Sequence, residues 1–500
     1  MNVAEVFERQ AMQSPDRLAV RWRGQEASYR DFLRMVLLLA GRLQEAGIGH
    51  GHRIGNTVSN PVSNMALTLA IAHIGAVSVS LPTPVSAESL EATGRASGMT
   101  HLVHARETPF DNGVVPPERQ FSFAALSAKP EAGLRVPPLA QMEAHDLWRI
   151  TLSSGTTGAP KGIERSHGGS CQLPLLTRGL IPTGPQDRVL IAMDVAMNFA
   201  VHHSLRALYS GACVLLPQDL KAETVLKTIH EEGATQLVTT TGVALSLARL
   251  AQDPASPYHR PAPSLKVMNA GGAAVSPQLT ALLREHVCPD LYVNYGAAET
   301  GLVAMSDAQL QVKDPACSGR LVPWIEAQAI GEDGKPLPTG QVGRLRFRGA
   351  GLATRYCDGS SAEAFADGWF QSNDIGRLTL SGLIYLDGRE NEVLNLAGVK
   401  IDPARLEAVI QQDPAIIESA AVLLKDALGG PVLVAVVVAP GGPVDADALK
   451  ERCARALGVH ARPKAVITVP SLPRNAAGKI QREVLRKKVR LGTPDKAEPA

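Results

Sequence analysis

The sequence predicts an α/β protein: a large N-terminal domain of helix-covered, mainly parallel sheets plus a small β unit, followed by a small mobile α+β C-terminal domain. Three observations carry this expectation. Helical periods alternate with short apolar runs through the first three fifths of the chain, the pattern of parallel strands covered by helices. From about Gly319 the runs are separated by turn pairs such as Asp333-Gly334, the texture of antiparallel hairpins. Beyond Gly388 helix and strand signals mix afresh. The boundaries read from these changes are 1–387 for the large domain, 388–490 for the small one and 491–500 for a polar tail expected to be mobile.

Each element has a local reason. Ser28, with Asp31 three residues on, resembles a capping box, and Phe32, Leu33, Val36, Leu37, Ala40 and Leu43 then share a helical face that Gly47 stops. A second helix over Asn64–Ile74 hands over at Gly75 to a strand over Ala76–Ser80, and a further strand is expected at Thr100–His104. The prolines Pro130, Pro137 and Pro138 mark a surface connection. Strands are then expected at Leu147–Leu152, Arg188–Met193, Ala212–Leu216, Gln236–Thr240, Leu265–Asn269 and Leu291–Asn294, with helices over Glu223–Glu232 and Pro277–Glu285. The β unit comprises Glu326–Ile330, Val342–Arg348 and Leu383–Leu386. In the small domain Asp402 as N-cap and Pro403 at the first helical position start a helix, followed by apolar runs at Ile417–Leu424 and Val432–Val438 and a helix over Asp445–Leu457.

Composition narrows the function. With 500 residues, 45% of them hydrophobic, the chain can bury a large core. Its 50 basic and 48 acidic residues leave a net charge of +2, which gives no footing for a nucleic-acid surface. The six cysteines form no CxxC pair or metal-ligand spacing. The N-terminus carries acid and base where a signal peptide would be apolar, and the apolar run Met35–Ala40 is far short of the ~20 residues of a spanning helix, so a cytoplasmic enzyme of small-molecule chemistry is expected.

The chemistry centres on Ser153-Ser154-Gly155-Thr156-Thr157-Gly158-Ala159-Pro160-Lys161-Gly162, which follows the strand Leu147–Leu152. Glycines free backbone N–H groups to face an anion, four hydroxyls can donate, and Lys161 adds a point charge: this is a phosphate-binding arrangement. A Walker-type loop needs Gly before the lysine and Ser or Thr after it, whereas Pro160 and Gly162 stand there. The loop resembles instead the signature of the AMP-forming adenylating superfamily of acyl- and aryl-CoA ligases, peptide-synthetase adenylation domains and luciferases.

Four further motifs extend the resemblance over nearly the whole chain. Tyr295-Gly296-Ala297-Ala298-Glu299-Thr300 resembles the family's Tyr-Gly-x-Thr-Glu, which implies ATP contacts from Tyr295, Gly296 and Ala297 and makes Glu299 a catalytic residue and ligand of Mg2+. Ala298 departs from that pattern by lacking a hydroxyl. Gly368-Trp369-Phe370-Gln371-Ser372-Asn373-Asp374 is similar to Gly-Trp-Phe-x-Thr-Gly-Asp, so Asp374 inherits the ribose hydroxyls, a role that suits two acceptor oxygens on one carboxylate. In Gly388-Arg389-Glu390-Asn391, Arg389 is implied to meet ribose or phosphate and Asn391 takes the hinge position; Gly398 and Lys400 fall on the thiol side. Pro473-Arg474-Asn475-Ala476-Ala477-Gly478-Lys479 resembles the C-terminal lysine motif, which makes Lys479 the cation between an attacking carboxylate and the α-phosphate.

The resemblance also locates an acid pocket, at Met197, Asn198 and Phe199, at Thr240, and at Gly271 and Gly272, with Ala273 on the ATP side. Asn198 stands where amino-acid-activating domains carry an Asp, and Asn198-Phe199 is similar to the Asn-Tyr of aryl-acid enzymes; His202 and His203 read as helix-packing residues. The resemblance thus implies ATP-dependent activation of a carboxylic acid to an acyl-adenylate and transfer to a thiol, with ATP, Mg2+ and CoA, or a carrier-protein phosphopantetheine, as the co-reactants. The alternatives are a stand-alone adenylation enzyme that loads a separate carrier protein and a catalytically inactive nucleotide-binding regulator.

Overall fold

A computed structural model describes residues 1–81, 85–106, 108–111, 113–128, 136–152, 161–359, 363–390, 394–396, 399–425, 431–440, 442–475 and 478–489, without the side chains of Asn395, Val399 and Lys400. Among these, thirteen strands form one sheet and seven another. Six neighbouring strands of the larger sheet run parallel: Leu18–Trp22, Cys213–Leu216, Arg188–Ala192, Gln236–Thr240, Val267–Gly271 and Leu291–Ala297. In the smaller sheet, five parallel strands include Val77–Ser80 and Leu147–Leu152, and an antiparallel pair at one edge is formed by Gly162–Ser166 and Arg355–Tyr356.

The start signals act as expected. Ser28 caps the helix Tyr29–Glu45 by accepting from Asp31 N–H; the helix expected over Asn64–Ile74 starts earlier, at Pro61 with Asn60 as its cap, and runs to His73. The faces that these helices bury, including Phe32, Val36, Leu39, Leu67 and Ile71, join one core between the two sheets. A second core lies on the opposite face of the larger sheet, and it runs without a break from Leu237, Met268 and Leu291 into Val422, Val434 and Leu485 near the C-terminus.

Three expectations change in detail. The strand expected at Leu265–Asn269 occupies Val267–Gly271, because parallel pairing with Gln236–Thr240 carries it on through Gly271. The connection around the prolines is preceded by a strand, Gln120–Ser122, and a short helix, Phe123–Ser127; Pro130 lies outside the described residues. The β unit is not a separate sheet: Gly301–Ser306 pairs antiparallel with Leu291–Ala297, and the strands beyond it continue the larger sheet to the edge at Ile325–Ile330. That pairing turns the sheet's last parallel strand into one wall of a hairpin.

Near the C-terminus, the helix Pro403–Ile410, capped by Asp402, and the helix Ala446–Leu457 pack on a three-stranded sheet of Glu418–Lys425, Pro431–Val438 and Ala465–Thr468. The strand Leu383–Arg389 carries the larger sheet through Gly388 and Arg389. The tail 491–500 lies outside the described residues.

Candidate active site

Asp374 sits inside the strand Phe370–Leu378. Alternation buries Ser372 and Asp374 and exposes Asn373, so the residue that departs from the expected glycine faces solvent. Ser372 Oγ donates to Leu345 O at 2.7 Å and accepts from Asp374 N at 3.1 Å, which fixes the carboxylate's backbone. Tyr295 Oη donates to Asp374 Oδ2 at 2.6 Å, and Arg389 Nε to Oδ1 at 2.7 Å. Burial, and then the neighbouring carboxylate, hold the Tyr295 hydroxyl well above the usual tyrosine pKa, so it remains a donor. A carboxylate oriented at both oxygens retains lone pairs for a vicinal diol.

Glu299 lies on the turn of the hairpin that follows Tyr295. The strand Leu291–Ala297 carries Tyr295, Gly296 and Ala297, with a register shift at Tyr295/Gly296. A Cβ on Gly296 would stand 1.9 Å from Gly301 O, so only glycine permits this closure. Thr300 Oγ1 accepts from Ala297 N at 2.9 Å and donates to Gly301 O at 3.2 Å; it is spent inside the turn and does not replace the hydroxyl missing at Ala298. The turn is held from outside as well. Ala353 N donates to Glu299 O at 2.7 Å, Tyr356 Oη to Glu299 Oε1 at 3.1 Å, and the buried Arg165 to Ala298 O and Gly351 O. Burial lowers the Arg165 pKa to about 10, with Glu299 opposing the shift, so the guanidinium stays charged. Lys161 Nζ lies 5.0 Å from the centre of the Tyr356 ring, which brings the end of the phosphate loop to Glu299.

On the acid side, Met197 precedes the helix Asn198–Tyr209 at its N-cap. A Cβ on Gly271 would be 3.3 Å from Asn294 Cβ and 3.5 Å from Phe199 Cε1, so helix and sheet converge on that glycine. Thr240 ends its strand and caps the helix Thr241–Ala251, while Thr241 Oγ1 donates to Ala273 O at 2.9 Å beyond the positive-φ Gly272. His202 and His203 are packing residues: His203 is buried and His202 half-buried on the helix, their rings meeting at 4.7 Å.

Lys479 reaches this junction on a tight loop. Asn475 N donates to Lys479 O at 2.9 Å, Lys479 N to Asn475 Oδ1 at 3.0 Å, and Gly478 has φ 79°. A Cβ on Gly478 would lie 3.4 Å from Thr240 Cβ and from Gly242 N. Arg474 braces the loop by donating to Gly478 O and Glu418, and Ser276 Oγ donates to Ile417 O at 3.2 Å across the same contact. A cavity of about 320 Å³ remains between Met193, Thr240, Arg249, Glu418 and Asn475.

Ser153, Ser154, Gly155, Thr156, Thr157, Gly158, Asn391 and Gly398 lie outside the described residues, as does the side chain of Lys400. Among the described residues no cluster of three or more His, Cys, Asp or Glu could hold a metal, and no helix is long and apolar enough to cross a membrane. Five cysteines are buried and Cys357 is half-buried.

The family model for AMP-binding enzymes matches residues 7–357, and that for the AMP-binding enzyme C-terminal domain matches residues 405–479. The chain belongs to the AMP-binding enzyme family. An indoleacetate–CoA ligase of Aromatoleum aromaticum is 27% identical over 516 residues, covering 98% of each chain. A sulfoacetate–CoA ligase of Cupriavidus necator is 30% identical over 372 residues, covering 72% of this chain and 70% of that one. The fold is shared with the o-succinylbenzoate CoA synthetase of Bacillus subtilis in complex with its acyl-adenylate intermediate, at a TM-score of 0.83 and 22% identity over 98% of this chain and 99% of the other.

This AMP-binding enzyme uses residues that its motifs did not mark. Tyr356 and Arg165 support Glu299 from strands distant in sequence, and no local pattern distinguishes them. Asn269 and Asn294 did leave a trace: each is a polar residue inside an otherwise apolar strand run.

Proposed function

We propose that the protein activates a carboxylic acid with ATP to an acyl-adenylate and pyrophosphate, then passes the acyl group to the thiol of CoA. The observation that supports this reading is the approach of the Lys479 loop to Thr240 and Gly242, where a Cβ on Gly478 would lie 3.4 Å from both. In the first step the acid's carboxylate attacks the α-phosphorus and pyrophosphate leaves. Two anions approach one another only if a cation stands between them, and Lys479 is that cation. Asp374, pre-set by Tyr295 and Arg389, accepts from the ribose hydroxyls. Lys161 and the hydroxyls of the phosphate loop hold the polyphosphate. A Mg2+ ion supplies charge neutralisation when bound; a single carboxylate plus phosphate oxygens is its ordinary site, and Glu299 fits that part. In the second step the thiolate sulfur attacks the acyl carbon and AMP leaves, a better leaving group than the oxide of a free carboxylate.

The large domain in this proposal ends near Asp387, and the small domain turns about Asn391 between the two steps, with Gly398 and Lys400 facing the thiol. A neutral Asn198 offers no charge to an ammonium, so amino acids are poor substrates. A carrier-protein phosphopantetheine is the second candidate acceptor, supported by 28% identity over 96% of this chain to a salicyl-AMP ligase / salicyl-S-ArCP synthetase of Mycobacterium tuberculosis. ATP–pyrophosphate exchange with a panel of fatty, aryl and amino acids tests the first step, and thioester formation with CoA or a phosphopantetheinylated carrier tests the second. Exchange with amino acids alone would overturn the acid assignment; no exchange with any acid would favour a nucleotide-binding regulator.

A further inference from the structure

The loop that carries Lys479 is tied to one buried acid. Glu418 opens the strand Glu418–Lys425, is buried, and accepts at Oε1 from Arg474. Arg474 passes the constraint on, because its other amino group donates to Gly478 O, the carbonyl before the lysine. A guanidinium is a planar fork that fixes the direction of both bonds, so the loop cannot turn without breaking one of them.

The second oxygen of Glu418 serves a different element. Oε2 has no hydrogen-bond partner and lies 3.7 Å from Nη2 of Arg249, which is itself buried without one, as is Nε of the same guanidinium. Arg249 stands on the helix Thr241–Ala251, seven positions from Gly242, so the two share a face. A Cβ on Gly242 would stand 3.2 Å from Arg474 Cδ. That face therefore meets the loop at one end and Glu418 at the other, and Gly242, Arg249, Glu418 and Arg474 all line the cavity of about 320 Å³. The two halves of this arrangement differ in kind. Arg474 holds Glu418 by a directed, charge-assisted hydrogen bond, whereas Arg249 attracts it by charge without a hydrogen bond. Glu418 keeps its Arg474 bond when it leaves Arg249, so its charge stays paired and the contact can be made and broken without undoing the loop.

We propose that Glu418 and Arg249 are positioning residues for adenylate formation. Arg249 draws Glu418, and with it Arg474 and the Lys479 loop, onto the helix Thr241–Ala251, and the pair parts before the thiol step. This proposal rests on the two-step function above. The pair acts on docking and touches no reacting atom, so its loss lowers the fraction of molecules with the loop seated, and adenylation falls with that fraction. The thiol step, which takes place with the loop withdrawn, does not need it.

ATP–pyrophosphate exchange at saturating ATP and acid reads the first step, and thioester formation from a supplied acyl-adenylate and CoA reads the second. Arg249→Gln is expected to lower kcat of the first by roughly 5–30-fold, the effect of losing one partly buried ion pair, with KM for ATP and acid little changed and the second step undiminished. Arg249→Lys keeps the charge and should restore most of the loss. Glu418→Gln should fall further, because Arg474 loses its charged acceptor as well. Adding Arg249→Gln to it should then cost little more, since two residues of one contact are not additive. Hydrogen–deuterium exchange gives a readout independent of turnover: the amides of Gly242 and Gly478, which meet where the loop docks, should lose protection in Arg249→Gln and keep it in Arg249→Lys. Equal losses in both half-reactions, an unchanged first step in Arg249→Gln, or additive effects in the double variant would overturn the proposal. If no acid supports pyrophosphate exchange in the wild type, the function above is removed; docking is then judged by deuterium exchange, and equal protection in Arg249→Gln and wild type would overturn it.

Discussion

The proposed nucleotide side and the proposed acid side of this site are built on opposite terms. On the nucleotide side the acids arrive already partnered: both oxygens of Asp374 are engaged, and Glu299 is held by Tyr356. On the acid side Oδ1 of Asn269 and both carboxamide atoms of Asn294 are buried without a protein partner. A preorganised site for an invariant ligand has its geometry settled before binding. A site for one acid among many keeps its polar groups waiting, at the cost that unpaired buried groups carry. The difference teaches where to cut: substitutions on the nucleotide side should act on every acid alike, and those on the acid side should act selectively.

The largest effect is expected where the two sides meet. Lys479→Ala should lower acyl-adenylate formation by ~10²–10³-fold, the range for one preorganised electrostatic donor. Thioester formation from a supplied acyl-adenylate and CoA should stay near the wild-type rate. If both half-reactions fall equally, Lys479 braces the loop rather than bridging two anions. Next in size is Asp374→Asn, which keeps the shape but loses the carboxylate that pairs with Arg389. Hydrogen bonds to charged groups are worth ~1.5–3 kcal/mol, so KM for ATP should rise roughly 10–100-fold while KM for the acid holds. An equal rise in both would erase the division between the two sides.

That division also explains how much was legible in the sequence. The strands Leu147–Leu152 and Gln236–Thr240 stand where their apolar runs place them, because parallel strands buried on both faces leave a continuous signal. Asp374 and Glu299 are proposed from motifs of fixed residue types at fixed spacing, and the structure gives both of them side-chain partners. What escaped depends on long-range pairing. The β unit merges with the large sheet through one hairpin, Asp374 lies in a strand because Gly343–Gly349 and Leu383–Arg389 flank it, and Tyr356 reaches Glu299 from 57 positions away. The contacts that join Asn269 to His203 and His203 to Arg206 link a strand to a helix far from it in sequence.

Gly271→Val should sharpen the comparison from the acid side. A Cβ there falls within 3.5 Å of both Asn294 and Phe199, and the two methyl groups beyond it would crowd that contact. Exchange with a long acid should fall by at least ~10-fold, since inserted methyl groups in a packed site typically cost 1–3 kcal/mol. A short acid such as acetate and the KM for ATP should be nearly unaffected. Uniform loss over all acids would place Gly271 in the scaffold of the sheet instead.

The smallest effect expected concerns stability rather than turnover. Burial, and then Arg206 and Arg165, push the His202 pKa down to about 3 from an ordinary value near 6.5. Between those two values the unfolded chain binds a proton at this residue and the folded chain does not. Stability therefore rises with pH across the window, is fully present above ~6.5 and is lost progressively as the pH falls toward 3. His101 and His167, each lowered by burial to about 4, act in the same sense and give the protein an acid-sensitive baseline. His202→Gln removes one titrating group and leaves the others. The melting temperature, followed from pH 7.5 to 5 in low-salt buffer, should fall less steeply in the variant, by a few degrees over the range. Parallel curves for variant and wild type would mean that His202 finds a proton acceptor in the folded state, and that the acid side is less completely unpartnered than the nucleotide side is partnered.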